Sequence, residues 1–205
     1  DPSKFANIYI ICSEITGGNI PVVFSRGNHD LRGNYAEKFA DFTPSQNRNT
    51  YYSFRLGSIW GILLDCGEDK NDMNAEYGYT VACHPFRLRQ TEYLKSVIAN
   101  ADKEYNADGV KTRLVISHNP FTEKLPAPFD IEKDIYTEWA SLLKENVKPD
   151  IMICGHIHHS GEGGERLGVA RAVTVIEHKA GSKLVAEQSS NGVLHTDEGI
   201  GAGSN

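Results

Sequence analysis

Apolar positions along the chain change period several times, and each change marks an element. In DPSKFANIYIICSEITGG, Phe5, Ile8, Tyr9, Cys12 and Ile15 recur at helical spacing until Gly17-Gly18. With Asp1 before Pro2, this predicts a first helix. Pro21 to Phe24 form a short apolar run that predicts a buried strand over 21–25. TYYSFRLGSIWGILLDCG predicts strands 50–56 and 59–65 joined at Gly57-Ser58 as a hairpin. EDKNDMNAEYGYT is polar and reads as loop.

The next stretch, FRLRQTEYLKSVIANADKEY, carries Leu94, Val97, Ile98, Ala101 and Tyr105 on one helical face. TRLVIS is a strand. IEKDIYTEWASLLKENV is a helix with Ile131, Ile135, Trp139, Leu142 and Leu143 inward, stopped by Pro149. DIMIC is another strand. VARAVTVIEH, SKLVAEQ and GVLHTD read as short antiparallel strands, and 198–205 as a frayed tail. Helices alternate with strands early and strands dominate late, which predicts a mixed-sheet α/β domain with outer helices, one domain over 1–205.

Composition narrows the function classes. The 205 residues are 40% hydrophobic and 23% charged, enough for one core without staples. A net charge of −6 argues against a nucleic-acid-gripping surface. No apolar run approaches the ~18 residues of a membrane span, and no signal peptide is visible, so no membrane partner and a cytoplasmic location are expected. Cys12, Cys66, Cys83 and Cys154 have no paired spacing. They read as ordinary thiols, with a Cys66–Cys83 disulfide across the polar loop as the alternative.

The candidate chemistry lies just past three strands. Arg26-Gly27-Asn28-His29-Asp30 follows the first, His118-Asn119-Pro120 the third-quarter strand, and Gly155-His156-Ile157-His158 the strand after it. Sites in open α/β sheets form where loops leave the carboxyl ends of strands, so Asn28, His118, His156 and His158 are candidates to meet there. In extended chain, residues two apart face the same side, which allows His156 and His158 a common space. Imidazole nitrogens with an amide oxygen suit zinc, iron or manganese better than calcium. Each residue also has a plainer reading: a loop histidine, an Asx turn at 28–30, a solvated GHIHH. His84, His159, His178 and His195 lack such company and read as structural; Trp60 and Trp139 read as core.

Together and in this order, GNHD, SHNP and GHIH resemble the later motifs of the calcineurin-like metallophosphoesterases, and RQTEYLKSVI resembles a helix of the purple-acid-phosphatase-like branch. The resemblance spans Pro21 to His158. It implies a four-layer α/β/β/α sandwich of two mixed sheets, with a dinuclear site of zinc, manganese or iron at the carboxyl edge. It also implies that Asn28, His118 and His156 hold one ion, that His158 completes the neighbouring ion, and that His29 acts at the substrate phosphate. Asp30 is then a candidate partner for His29, and Arg26 a candidate phosphate contact or an ordinary salt bridge. The family's opening Asp-x-His and Gly-Asp motifs do not occur. The first strand or strands are therefore expected to be missing. On that expectation these residues bind at most one ion, hydrolyse poorly and self-associate through an open sheet edge.

The expected reaction is hydrolysis of phosphate mono- or diesters of small molecules. A nuclease of the same superfamily is the alternative within enzymes, disfavoured by the acidic balance. A non-catalytic metal-binding protein is the alternative outside them.

Overall fold

The computed structural model describes residues 2–33, 35–43, 45–122, 125–156, 172–174, 185–188 and 194–197, with side chains from 6 to 156 within those ranges. Helix α1 covers Pro2–Thr16 and one-turn helix α2 covers Phe39–Phe42. The hairpin forms as the pattern predicts: β1 (Tyr52–Leu56) runs antiparallel to β2 (Ile59–Leu64), with Gly57 turning at φ 58°. Helix α3 (Cys83–Ala99) follows, then β3 (Thr112–Ser117), α4 (Lys133–Leu142) with a π turn at Leu143–Val147, and β4 (Ile151–Cys154).

Two expectations need correction. Residues 21–25 carry no strand pairing among the described residues. A short apolar run signals burial, but a strand also needs a hydrogen-bonding neighbour, and Val22, Val23 and Phe24 are only half-buried. The stretch expected to open an antiparallel set instead contributes β5 (Ala172–Thr174), parallel to β4. From the other two stretches, β6 (Val185–Gln188) and β7 (Leu194–Asp197) pair antiparallel with each other in a separate two-stranded sheet.

The main sheet has the order β1-β2-β3-β4-β5, parallel from β2 onward. Leu64 pairs with Ser117 and Ile116 with Ile153, so the carboxyl ends of β2, β3 and β4 finish level with one another. The Gly155 N–H donates to the His118 carbonyl at 2.9 Å, continuing that register past the strand ends. Beneath the sheet, Trp60, Ile62, Leu64, Val115 and Met152 pack against Leu94 and Val97 of α3 and Trp139 and Leu143 of the α4 segment. Both tryptophans are core, and each indole donates internally, Trp60 to Glu104 and Trp139 to Thr91, both at 2.8 Å.

Helix α3 starts three residues before the predicted stretch, and the first half of its buried face is polar: Arg87, Gln90 and Thr91. The reason lies in the loop after β2. Gln90 exchanges two hydrogen bonds with the Asp65 backbone, at 2.8 and 2.7 Å. Arg87 is fully buried and donates to the carbonyls of Cys66 and Glu68 and to the Glu132 carboxylate. All four cysteines are free. Burial pushes the Cys66 thiol up to about 12, and the Cys83 sulfur accepts from the Glu68 N–H. Neither is a reactive thiol.

Arg87→Met should leave two buried carbonyls without their donor and Glu132 with His84 alone. An unfolding free energy lower by about 3 kcal/mol in urea titration is the expected outcome.

Candidate metal centre

Gly27 is extended, at φ −91° and ψ 168°, and the chain then turns into one 3₁₀ turn, Asn28–Leu31. The Asp30 carboxylate accepts from the Gly27 N–H at 2.8 Å, closing that turn. Asp30 thus holds the segment that presents Asn28 and His29, through a bond to backbone rather than to the His29 ring. Asn28 is buried while His29 is exposed.

Three strand ends meet this turn. The His118 Nε2 lies 3.1 Å from the Asn28 Oδ1. A Cβ on Gly27 would stand 3.1 Å from the His118 ring, so glycine is what lets the imidazole close over the turn. The His118 and His156 rings sit edge to face with centroids 5.2 Å apart. His156 follows Gly155 with φ 75°, a left-handed conformation that costs a histidine on the order of 1–3 kcal/mol. From the loop after β2, Asp69 brings its Oδ2 to 3.6 Å from the His156 Nε2. These groups line an open cleft of about 800 Å³ together with His29 and Phe129. Of the expected residues, Asn28, His29, Asp30, His118 and His156 therefore share one cleft, and His158 lies outside the described residues.

Arg26 is engaged elsewhere. Its Nε donates to the buried Asp65 carboxylate at 2.6 Å, and its guanidinium covers the Phe86 ring. Arg32 likewise grips buried Glu68 through two bonds of 2.9 Å. His84 pairs with Glu132 away from the cleft, while His159 and His178 and the His195 side chain lie outside the described residues.

Asp69, Asp65, Glu68 and Arg32 were not anticipated from the sequence. The available signal was the acidic pair Glu68-Asp69 just beyond an apolar strand, the same position that singles out the histidines. Burial by itself would raise the Asp69 carboxyl. The Tyr77 hydroxyl, which donates to it at 2.7 Å, with Lys70 and His156, outweighs burial and holds it below the ordinary carboxylate range.

Among the described residues, no three His, Cys, Asp or Glu side chains form a metal-binding group by themselves. Asn28 changes the donor chemistry. Two ligands of one ion at ~2.1 Å each stand roughly 3.0–3.4 Å apart. The Asn28–His118 pair meets that separation at 3.1 Å, and Asp69–His156 is slightly wider at 3.6 Å. Two imidazoles, an amide oxygen and a carboxylate fit zinc, manganese or iron.

The family profile for calcineurin-like phosphoesterases matches residues 3–160. The chain belongs to this family. No curated protein matches it. Metal-dependent hydrolysis of phosphoesters is the general chemistry of calcineurin-like phosphoesterases, and the matched span contains every strand end that lines the cleft. Among the described residues of this family member, no helix is long and apolar enough to cross a membrane.

Because its folded pKa is depressed, Asp69 adds stability above its ordinary pKa of ~3.9 that is lost as pH falls through the lower folded value. Tyr77→Phe should raise the Asp69 pKa in a carboxyl ¹³C titration. It should also lower stability by about 1–2 kcal/mol at pH 7, with a smaller loss near pH 2.

Proposed function

We propose that this phosphoesterase hydrolyses small-molecule phosphate esters at the cleft formed by Asn28, His118 and His156. The observation that carries the reading is their convergence: three separate chain segments bring nitrogen and oxygen donors into one cleft. Those three residues would hold one divalent ion, with Asp69 beside His156 as its nearby carboxylate. His158 would serve a neighbouring ion, and the complete fold would be the family's two-sheet sandwich between helices. When bound, such ions supply positive charge against phosphoryl oxygens and strengthen the acidity of water.

The chain's own residues divide the remaining work. The exposed His29 imidazole, one residue beyond Asn28, stands where a proton can pass to the leaving oxygen. The Asp30 carboxylate fixes the turn beneath it, so that His29 and Asn28 keep their mutual positions. Arg26 acts through Asp65, as a tether rather than as a phosphate contact. The net charge of −6 favours small esters over a nucleic-acid backbone.

His118→Ala is expected to weaken zinc or manganese binding by more than the roughly 100-fold upper bound for loss of an outer-shell partner. Titration calorimetry checks this, and unchanged affinity would remove the site. His29→Ala should lower turnover by roughly 10²–10⁴ while metal affinity holds. Loss of metal with activity would make His29 a ligand. Tight metal binding without hydrolysis of any phosphate ester would favour a non-catalytic role.

A further inference from the structure

Among the described residues, the metal cleft has a neighbour. A second cleft, of about 410 Å³, shares Asp69, Leu125 and Phe129 with it. That volume lies within the roughly 300–1,000 Å³ of small-molecule sites. Residues that line two adjoining clefts form the wall between them, and the largest side chain in this wall is Phe129.

Phe129 is fixed by three separate contacts. Its ring stands edge to face with His156, with centroids 6.2 Å apart. The Lys70 Nζ lies 5.4 Å from the same ring centroid, and that ammonium is itself tied to Glu76 at 2.7 Å and to Asp69 at 3.5 Å. The Phe129 N–H donates to the Pro126 carbonyl at 2.9 Å, which closes the chain into a turn over 126–129. Phe129 is nevertheless only half-buried, so it keeps surface that a ligand can meet.

We propose that Phe129 is a specificity-determining residue of the phosphoesterase site: its ring bounds the space beside His156 and sets how far the group attached to phosphorus can extend. A ring held by an imidazole, an ammonium and its own turn does not yield to a bulky group without losing those contacts. Trimmed to a methyl group, the same position joins the two clefts beside His156 and adds the second volume to the first. The inference rests on the phosphoesterase reading of Asn28, His118 and His156. It concerns the size of the attached group, not its chemistry.

The test uses methylphosphonate and 1-naphthylphosphonate, whose P–C bonds are not hydrolysed, with affinities for the zinc-loaded chain read by titration calorimetry. Phe129→Ala should raise the naphthyl-to-methyl affinity ratio about tenfold or more. Phe129→Leu, which keeps an apolar filling and guards against a variant that fails to fold, should raise it by less. Thr137 lines the second cleft alone, so adding Thr137→Trp to Phe129→Ala should cancel most of the rise. An unchanged ratio in Phe129→Ala and Phe129→Leu chains that still bind methylphosphonate would overturn the assignment. So would a rise that Thr137→Trp leaves intact, since loosening of the loop would then explain it. A zinc-loaded wild type that binds neither phosphonate overturns the phosphoesterase reading itself, and this inference with it.

Discussion

Two arginine–carboxylate pairs bracket Asn28, and the geometry of the cleft hangs on them. Arg26 pairs with Asp65 and Arg32 with Glu68, and each carboxylate side chain is about 1% exposed. Charges that far from water need partners, so neither loop can move independently without stranding a buried ion. The pairs pin the 26–32 segment onto the loop after β2. Residues 21–25 have no strand pairing among the described residues, so this tether does for the segment what a sheet ladder would otherwise do.

The tether holds only because the other loop is itself fixed. Gln90 pairs with the Asp65 backbone, while Arg87 takes the Cys66 and Glu68 carbonyls and reaches Glu132 just ahead of α4. Helix α3 contributes no side chain to the cleft, yet it sets where Asp69 stands and, through the two salt bridges, where Asn28 stands. The polar half of its buried face is the cost of that control.

Periodicity exposed most of the scaffold. The hairpin, the strands at 112–117 and 151–154, and helices α3 and α4 follow from apolar spacing because each buries one face in the same core. Residues 21–25 carry the same apolar signal without a partner strand, and a sequence does not display its pairing. The start of α3 escaped for the opposite reason: Arg87, Gln90 and Thr91 are buried by hydrogen bonds to a distant loop, which leaves no hydrophobic pattern. At the site, Asn28, His118 and His156 were legible since each follows an apolar run and sits beside a glycine or a proline-bearing turn. Asp69 was not, because it lies in a polar loop whose course is set by the Tyr77 hydroxyl and by Arg87 of α3, contacts that apolar spacing does not reveal.

The charges around the cleft bear on what it would accept. Asp65, Glu68 and Glu132 are each matched to an arginine, and Lys70 lies against Asp69. Much of the acidity near the cleft is therefore matched by cations, while Asp30, which also lines it, accepts from the Gly27 N–H. On the proposed reading, the donors would be two imidazoles and an amide, with Asp69 the carboxylate nearest His156. Such a set would leave most of an ion's positive charge uncompensated by protein, and a phosphate group supplies what is lacking. Ion and phosphate would then each strengthen the other's binding through one coupling free energy. On that reading the arginine tethers would serve twice, by fixing the donors in place and by pairing Asp65 and Glu68 away from a bound phosphate.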